Sequence, residues 1–177
     1  MLSVSIKSLL KWRRKIMITH AIIKQKYRET VEKRQERKAE LQDVAAKLLQ
    51  KYKDSLSLPS EAWLDAGGIP RTYVTTGIRN ERGLYQQKSL SSLTTDDNHS
   101  LTFIISTTLD ELEGGNIASA EVAISIYKES GSYYVLVGNE RRSFRVVTIN
   151  AADAFDNVCD AIKSTVLSCF ADERLDW

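Results

Sequence analysis

Positively charged and aromatic side chains are concentrated at the start of the chain, where they could bind a polyanion. The first 28 residues contain eight Lys or Arg and no Asp or Glu. Lysine and arginine neutralise phosphates, and tryptophan and tyrosine rings can stack on bases. We therefore predict a surface that contacts nucleic acid or an acidic protein, with Trp12 and Tyr27 available for stacking. The cations that we assign to it are Lys11, Arg13, Arg14, Lys15, Lys24, Lys26 and Arg28.

The same segment has three other interpretations. Its opening, MLSVSIKSLLKWRRK, has the Ser, Lys and Arg content and the lack of acids that are typical of a transit peptide. Met17 would be a sensible start for the helix that follows, which would make residues 1–16 an extension that contributes little. The plainest interpretation is a solvated basic helix face without a dedicated ligand. A secretory signal is not expected, because no A-x-A cleavage pattern follows.

A second cationic group lies near the end of the sequence, after the turn GNE. In a strand, alternation would place Arg141 and Arg145 on one side and Arg142 on the other. Arg141 and Arg145 are therefore candidate contacts for an anion or a nucleic-acid backbone. The alternative, which we favour, is a charged edge strand that prevents pairing with other chains.

Residues that could hold a metal or perform acid–base chemistry are few. The consecutive residues DDNH at 96–99 are better explained by a turn, and DELE at 110–113 has no converging partner. The sequence contains no P-loop, G-x-G-x-x-G, H-E-x-x-H, C-x-x-C or G-x-S-x-G pattern. We therefore expect no metal site, no cofactor and a non-catalytic function, with an enzyme that lacks a recognisable motif as an alternative.

A long helix must position the basic residues. Residues 20–57 contain no Gly or Pro and are rich in strong helix formers. A 4-3 spacing is typical of a coiled-coil seam, and it runs through Tyr27, Val31, Arg34, Lys38, Leu41, Ala45, Leu48 and Tyr52. This pattern predicts, as an alternative function, a structural or assembly protein that forms homo-oligomers. The residues assigned to self-association are Tyr27, Val31, Leu41, Leu48 and Tyr52. For residues 41–56 we favour another interpretation, a helix that covers the sheet.

The remainder of the chain predicts strands followed by one more helix. From Arg71 to Ile149 apolar residues alternate with polar ones, as in SLTFIIST and AEVAISIY, and the connections KESGS and GNE are short enough for hairpins. We expect SEAWLDAGG to begin with a short helical turn capped by Ser60. An apolar stripe after Asn150 predicts a C-terminal helix. The predicted fold class is α+β: a long N-terminal helix, an antiparallel meander of four to six strands, and a C-terminal amphipathic helix packed on the sheet.

Charge divides the chain into two predicted domains. Residues 1–58 carry 15 Lys or Arg and 6 Asp or Glu, whereas residues 59–177 carry 10 and 17. We therefore predict a basic helical arm over 1–58 and an α+β body over 59–177. Cys159 and Cys169 would lie about 15 Å apart on one helix, too far for a disulfide, which indicates a reducing, cytoplasmic compartment. Without a run of 18 apolar residues we expect no membrane partner. The size would suit an accessory protein of a phage or mobile element.

Overall fold

The computed structural model describes residues 18–65, 67–112 and 116–171. The chain divides into two compact units, residues 1–34 and 35–177, which we call the N-terminal and C-terminal units. The division falls inside the first helix, α1 (His20–Ser55). The boundary expected from the sequence, at residue 58, stays a prediction. The apolar side chains of α1 from Leu41 onward pack in the core of the C-terminal unit.

The N-terminal unit contains the start of α1. The Thr19 hydroxyl accepts a hydrogen bond from the Ile22 amide at 3.4 Å, and the Thr19 carbonyl accepts one from the Ile23 amide at 3.1 Å. A threonine here satisfies amide groups that otherwise have no partner at a helix start. Every side chain from Ile18 to Arg28 is exposed.

The C-terminal unit consists of the rest of α1, a small two-stranded sheet, a six-stranded sheet and a second helix. The strands are β1 (Ala62–Leu64), β2 (Pro70–Thr72), β3 (Val74–Arg79), β4 (Tyr85–Gln87), β5 (Leu101–Leu112), β6 (Asn116–Glu129), β7 (Ser132–Val137) and β8 (Arg142–Val146), and the helix is α2 (Asp156–Ser168). All neighbouring strands are antiparallel, and the large sheet has the order β4-β3-β5-β6-β7-β8. The predicted α+β class and antiparallel sheet are confirmed.

The first strand replaces a predicted helical turn. Residues 62–64 pair with β2, where Trp63 lies opposite Arg71. The Ser60 hydroxyl donates to the Ala62 carbonyl at 2.6 Å and caps no helix. The prediction of a short helix was wrong because the segment pairs with the adjacent strand β2 in a hairpin, which outweighs the weak helix signal of so short a segment.

One face of the large sheet carries the hydrophobic core. Alternate residues of the central strands are almost completely buried, as the period of two predicts. They are Leu101, Phe103 and Ile105 of β5 and Val122, Ile124 and Ile126 of β6. The apolar side chains of α2 and of α1 beyond residue 40 join them in one cluster. Burial of each large side chain stabilises the fold by about 1.5–3 kcal/mol.

Polar contacts fix α1 of the C-terminal unit against the sheet. The Tyr52 hydroxyl is 2.9 Å from the Thr107 hydroxyl in the buried interior. The Gln42 side-chain amide donates to three backbone carbonyls of the segment before β5, those of Leu90, Ser91 and Leu93, at 3.0–3.1 Å. These bonds satisfy carbonyls of a connecting segment that makes few regular backbone hydrogen bonds.

Candidate binding surface

The cations of the N-terminal unit that the structure describes lie on α1. Lys24, Lys26 and Arg28 are all exposed. Lys26 Nζ is 3.9 Å from a carboxylate oxygen of Glu29, and such an exposed, long ion pair contributes little. Within residues 18–65, 67–112 and 116–171, Lys24 and Arg28 form no ion pair. The positive charge of these two side chains therefore faces solvent.

The helical period gathers the exposed groups on one side. Residues three and four positions apart lie next to each other on a helix, so Lys24 neighbours both Tyr27 and Arg28. Tyr27 is 69% exposed. At 100° per residue, Glu29 falls on the far side of the helix, whereas Glu32 lies one turn after Arg28. The side with the tyrosine therefore combines an open aromatic ring with two cations.

Three isoleucines of the N-terminal unit are also exposed. Ile18, Ile22 and Ile23 retain 73%, 44% and 58% of their accessible surface. Ile22 and Ile23 lie on α1, and Ile18 precedes it by two residues. Single exposed apolar residues are common, but several close together indicate a contact surface. The remaining predicted cations of this segment, Lys11, Arg13, Arg14 and Lys15, lie outside the described residues.

Arg141 and Arg145 do not lie side by side on one strand, contrary to what the sequence predicted. Arg141 lies in the turn between β7 and β8 with a left-handed φ of 52°, so strand alternation does not set its direction. Arg145 lies within β8, and its guanidinium donates to the Ser132 hydroxyl at 3.0–3.1 Å. The Arg142 guanidinium donates instead to the Ala161 carbonyl at 2.9 Å. The expected placement of Arg141 beside Arg145 is corrected, since the turn extends one residue further than expected.

The position of β8 agrees with the charged-edge interpretation. It forms one end of the six-stranded sheet, with β7 as its paired neighbour. Charged side chains on such a strand hinder pairing with other chains.

The residues assigned to self-association fall into two groups. Leu41, Leu48 and Tyr52 are fully buried in the core of the C-terminal unit. This burial corrects their assignment to an exposed surface between copies and agrees with the covering-helix interpretation of residues 41–56. Tyr27 is exposed and Val31 is half-buried, and for these two residues self-association stays a prediction.

A cluster of ionisable groups joins α1 to the hairpin of β6 and β7, and we did not foresee it from the sequence. The Glu40 carboxylate accepts hydrogen bonds from Lys128 Nζ and, at 2.7 Å, from the Tyr133 hydroxyl. Burial raises the pKa of Glu40, but these hydrogen bonds and the charge of Lys128 outweigh it and leave the pKa below its ordinary value. No local sequence pattern could have revealed this cluster, because Glu40 is far in sequence from Lys128 and Tyr133.

Open clefts lie on the surface of the C-terminal unit, and two of them adjoin helix ends. One, of about 610 Å³, lies beside the end of α1 and has Lys53, Asp54, Glu61 and Tyr73 in its lining. The other, of about 410 Å³, lies between the turn after β7 and the end of α2. Neither lining contains a histidine, and the described residues hold no group of three metal-ligating side chains. The clefts therefore show no recognisable catalytic constellation.

Turn chemistry accounts for the residues DDNH at 96–99. The Asp96 carboxylate accepts hydrogen bonds from the amides of Asn98 and Ser100 at 2.8–2.9 Å, and His99 has a left-handed φ of 58°. An aspartate that bonds the backbone two and four residues on is typical of a tight turn.

Over the part of the chain that the structure covers, no helix has the length and apolar content needed to cross a membrane.

Comparisons with known proteins add no family to this description. No protein-family model, curated protein or solved structure matches the chain.

Proposed function

We propose that this chain is a non-catalytic binding protein whose basic N-terminal helix contacts nucleic acid. The exposure of Lys24, Tyr27 and Arg28 on one side of α1 carries this proposal. They belong to a unit with ten Lys or Arg and two Asp or Glu, a net charge of +8 over residues 1–34. A charge density of this kind attracts phosphate groups and releases their counterions.

The charge of the C-terminal unit supports restricting the contact to the N-terminal unit. Residues 35–177 contain 15 Lys or Arg and 21 Asp or Glu, a net charge of −6. A negatively charged unit repels a polyphosphate, so the affinity is carried by the cations of residues 1–34.

The charged positions of the seam argue for an anionic partner over a second copy. Arg34 and Lys38 occupy two of its 4-3 positions, which in a parallel pair would face the same residues of the other helix. Like charges in such positions are destabilising. An anion, in contrast, would be attracted to Arg34, which belongs to the N-terminal unit.

Salt-dependent binding tests the proposal. We expect the affinity for labelled DNA or RNA to fall steeply between about 50 and about 200 mM salt. Replacing Lys24, Lys26 and Arg28 together by glutamine lowers the slope of log affinity against log salt by roughly 2 to 3. Fluorescence anisotropy measures the affinity, and sedimentation velocity measures the assembly state.

A matched variant controls for net charge. Lys53→Gln, Arg82→Gln and Lys88→Gln remove the same charge from the C-terminal unit, at residues that form no ion pair among the described side chains. We expect this variant to bind like the wild type. Equal effects of the two variants, or no binding of DNA or RNA at either salt concentration, would refute the proposal.

An acidic protein surface is the second candidate partner. The exposed Ile18, Ile22 and Ile23 favour it, because a phosphate backbone offers little apolar surface to cover them. Self-assembly through the N-terminal unit is the structural alternative. It would be favoured if the sedimentation experiment showed no binding of nucleic acid and a self-association that persists at high salt.

We also propose a reducing, cytoplasmic environment. Both cysteines are free, and Cys169 is exposed. An exposed thiol is readily oxidised outside such a compartment. An accessory role in a phage or mobile element stays a hypothesis that no described residue supports.

A further inference from the structure

We infer that the nucleic acid bound by α1 is single-stranded, and that one of its bases stacks on the Tyr27 ring. This inference rests on the proposed function and specifies its ligand.

The ring has the surroundings that stacking requires. With 69% of its surface exposed, Tyr27 can present a face to a ligand. Its hydroxyl makes no hydrogen bond to any described residue, so no bond within that part of the chain holds the ring in another position. Ile23, one turn earlier on the same side, is also exposed and extends the apolar surface beside the ring.

Two cations of the same helix segment can contact the phosphates that adjoin a stacked base. Lys24 is one turn before Tyr27 on the same side, and Arg28 lies one turn after Lys24 and 100° around the helix from Tyr27. Grooves that bind single strands combine the same two elements, positive side chains along the backbone and aromatic rings against the bases. An arginine beside the stack can add a cation–π contact.

A duplex cannot use the ring in this way. Its bases are paired and stacked on one another, and the grooves offer only their edges. Lys24 and Arg28 alone would neutralise phosphates of either form. The exposed tyrosine therefore distinguishes the two forms, because only an unpaired base has a face available.

Variants of Tyr27 test the inference. We compare binding of an unstructured single strand of about 20 nucleotides with binding of a duplex of equal length, by fluorescence anisotropy. The wild type should prefer the single strand. Tyr27→Leu should weaken single-strand binding by roughly 5- to 100-fold and leave duplex binding unchanged, whereas Tyr27→Phe should retain the preference. Circular dichroism checks that each variant folds.

Salt dependence and a distant aromatic provide the controls. Tyr27→Leu removes no charge, so its salt slope should equal that of the wild type, unlike the slope of Lys24→Gln with Arg28→Gln. Phe170→Leu removes another exposed aromatic ring and should change neither affinity. Equal wild-type affinity for both forms, or an unchanged single-strand affinity of Tyr27→Leu, overturns the inference while the proposed function stands. Binding of neither form overturns both.

Discussion

The two cysteines differ in burial, and we expect their thiols to differ in reactivity for that reason. Cys159 lies inside the core, and burial raises its pKa to about 11. At pH 8 about one such thiol in a thousand is ionised, and the thiolate is the reactive species. Cys169, at the end of α2, is exposed.

We predict that a disulfide reagent at pH 8 modifies one thiol of the folded protein rapidly. Cys169→Ser should abolish this fast reaction, and Cys159 should react only when denaturant unfolds the core. Absorbance of the released thiol and mass spectrometry of the labelled peptides measure the two rates. Similar rates for both cysteines in the native protein would contradict the burial of Cys159.

At the scale of the elements, the Glu40 cluster couples α1 to the hairpin of β6 and β7. Because the pKa of Glu40 is lower in the folded protein than its ordinary value of 4.5, folding favours the ionised form. The resulting stability is present above that ordinary value and is lost as pH falls through the lower, folded pKa.

We predict that Glu40→Gln lowers the free energy of unfolding at pH 7 by about 1 kcal/mol, a modest value because the carboxylate is partly exposed. The difference in the free energy of unfolding between this variant and the wild type should shrink when the pH is lowered from about 5 to about 3, since the wild-type carboxylate then becomes protonated. Urea unfolding at several pH values measures this. Glu129→Gln, at an exposed position on the same hairpin, should show no such loss. A difference that does not depend on pH would rule out the charge of Glu40 as its cause.

The helices and strands that were predictable from the sequence are those in which apolar residues recur at a regular spacing over many residues. Alternation placed Phe103 and Val122 on the core side of their strands, because the side-chain period of a strand is independent of its partners. The pairing of β3 with β5 was not predictable, since it joins segments that are more than 20 residues apart in the sequence. The seam of α1 was ambiguous for a similar reason. Leu41 and Leu48 fit a coiled coil equally well, and the apolar face of the chain's own sheet decides their place.

The candidate site was predictable to a different extent. Composition alone indicates the cations of α1, because a stretch without acids cannot neutralise its own charge. The exposure of Tyr27 was not predictable, since the same 4-3 spacing places Tyr27 exposed in one unit and Tyr52 buried in the other. Arg141 was misplaced because a single residue at the end of a turn decides whether strand alternation applies.

For the whole molecule, stability and charge belong to different parts of the chain. Among the described residues, the hydrophobic core runs from Leu41 to Val166 and lies inside the C-terminal unit. The excess of positive charge lies in residues 1–34. Binding and folding should therefore be separable by truncation.

We predict that a chain beginning at Gln35 folds and no longer binds nucleic acid. It keeps every described core residue and loses the first turns of α1 with the capping contact of Thr19, so its melting temperature should fall by at most about 4 °C. Circular dichroism measures the melting temperature, and fluorescence anisotropy measures the residual affinity. Loss of the cooperative transition would mean that residues 1–34 stabilise the C-terminal unit. Retained affinity would move the binding surface to the cations of the C-terminal unit, with Arg141 and Arg145 as the first residues to replace.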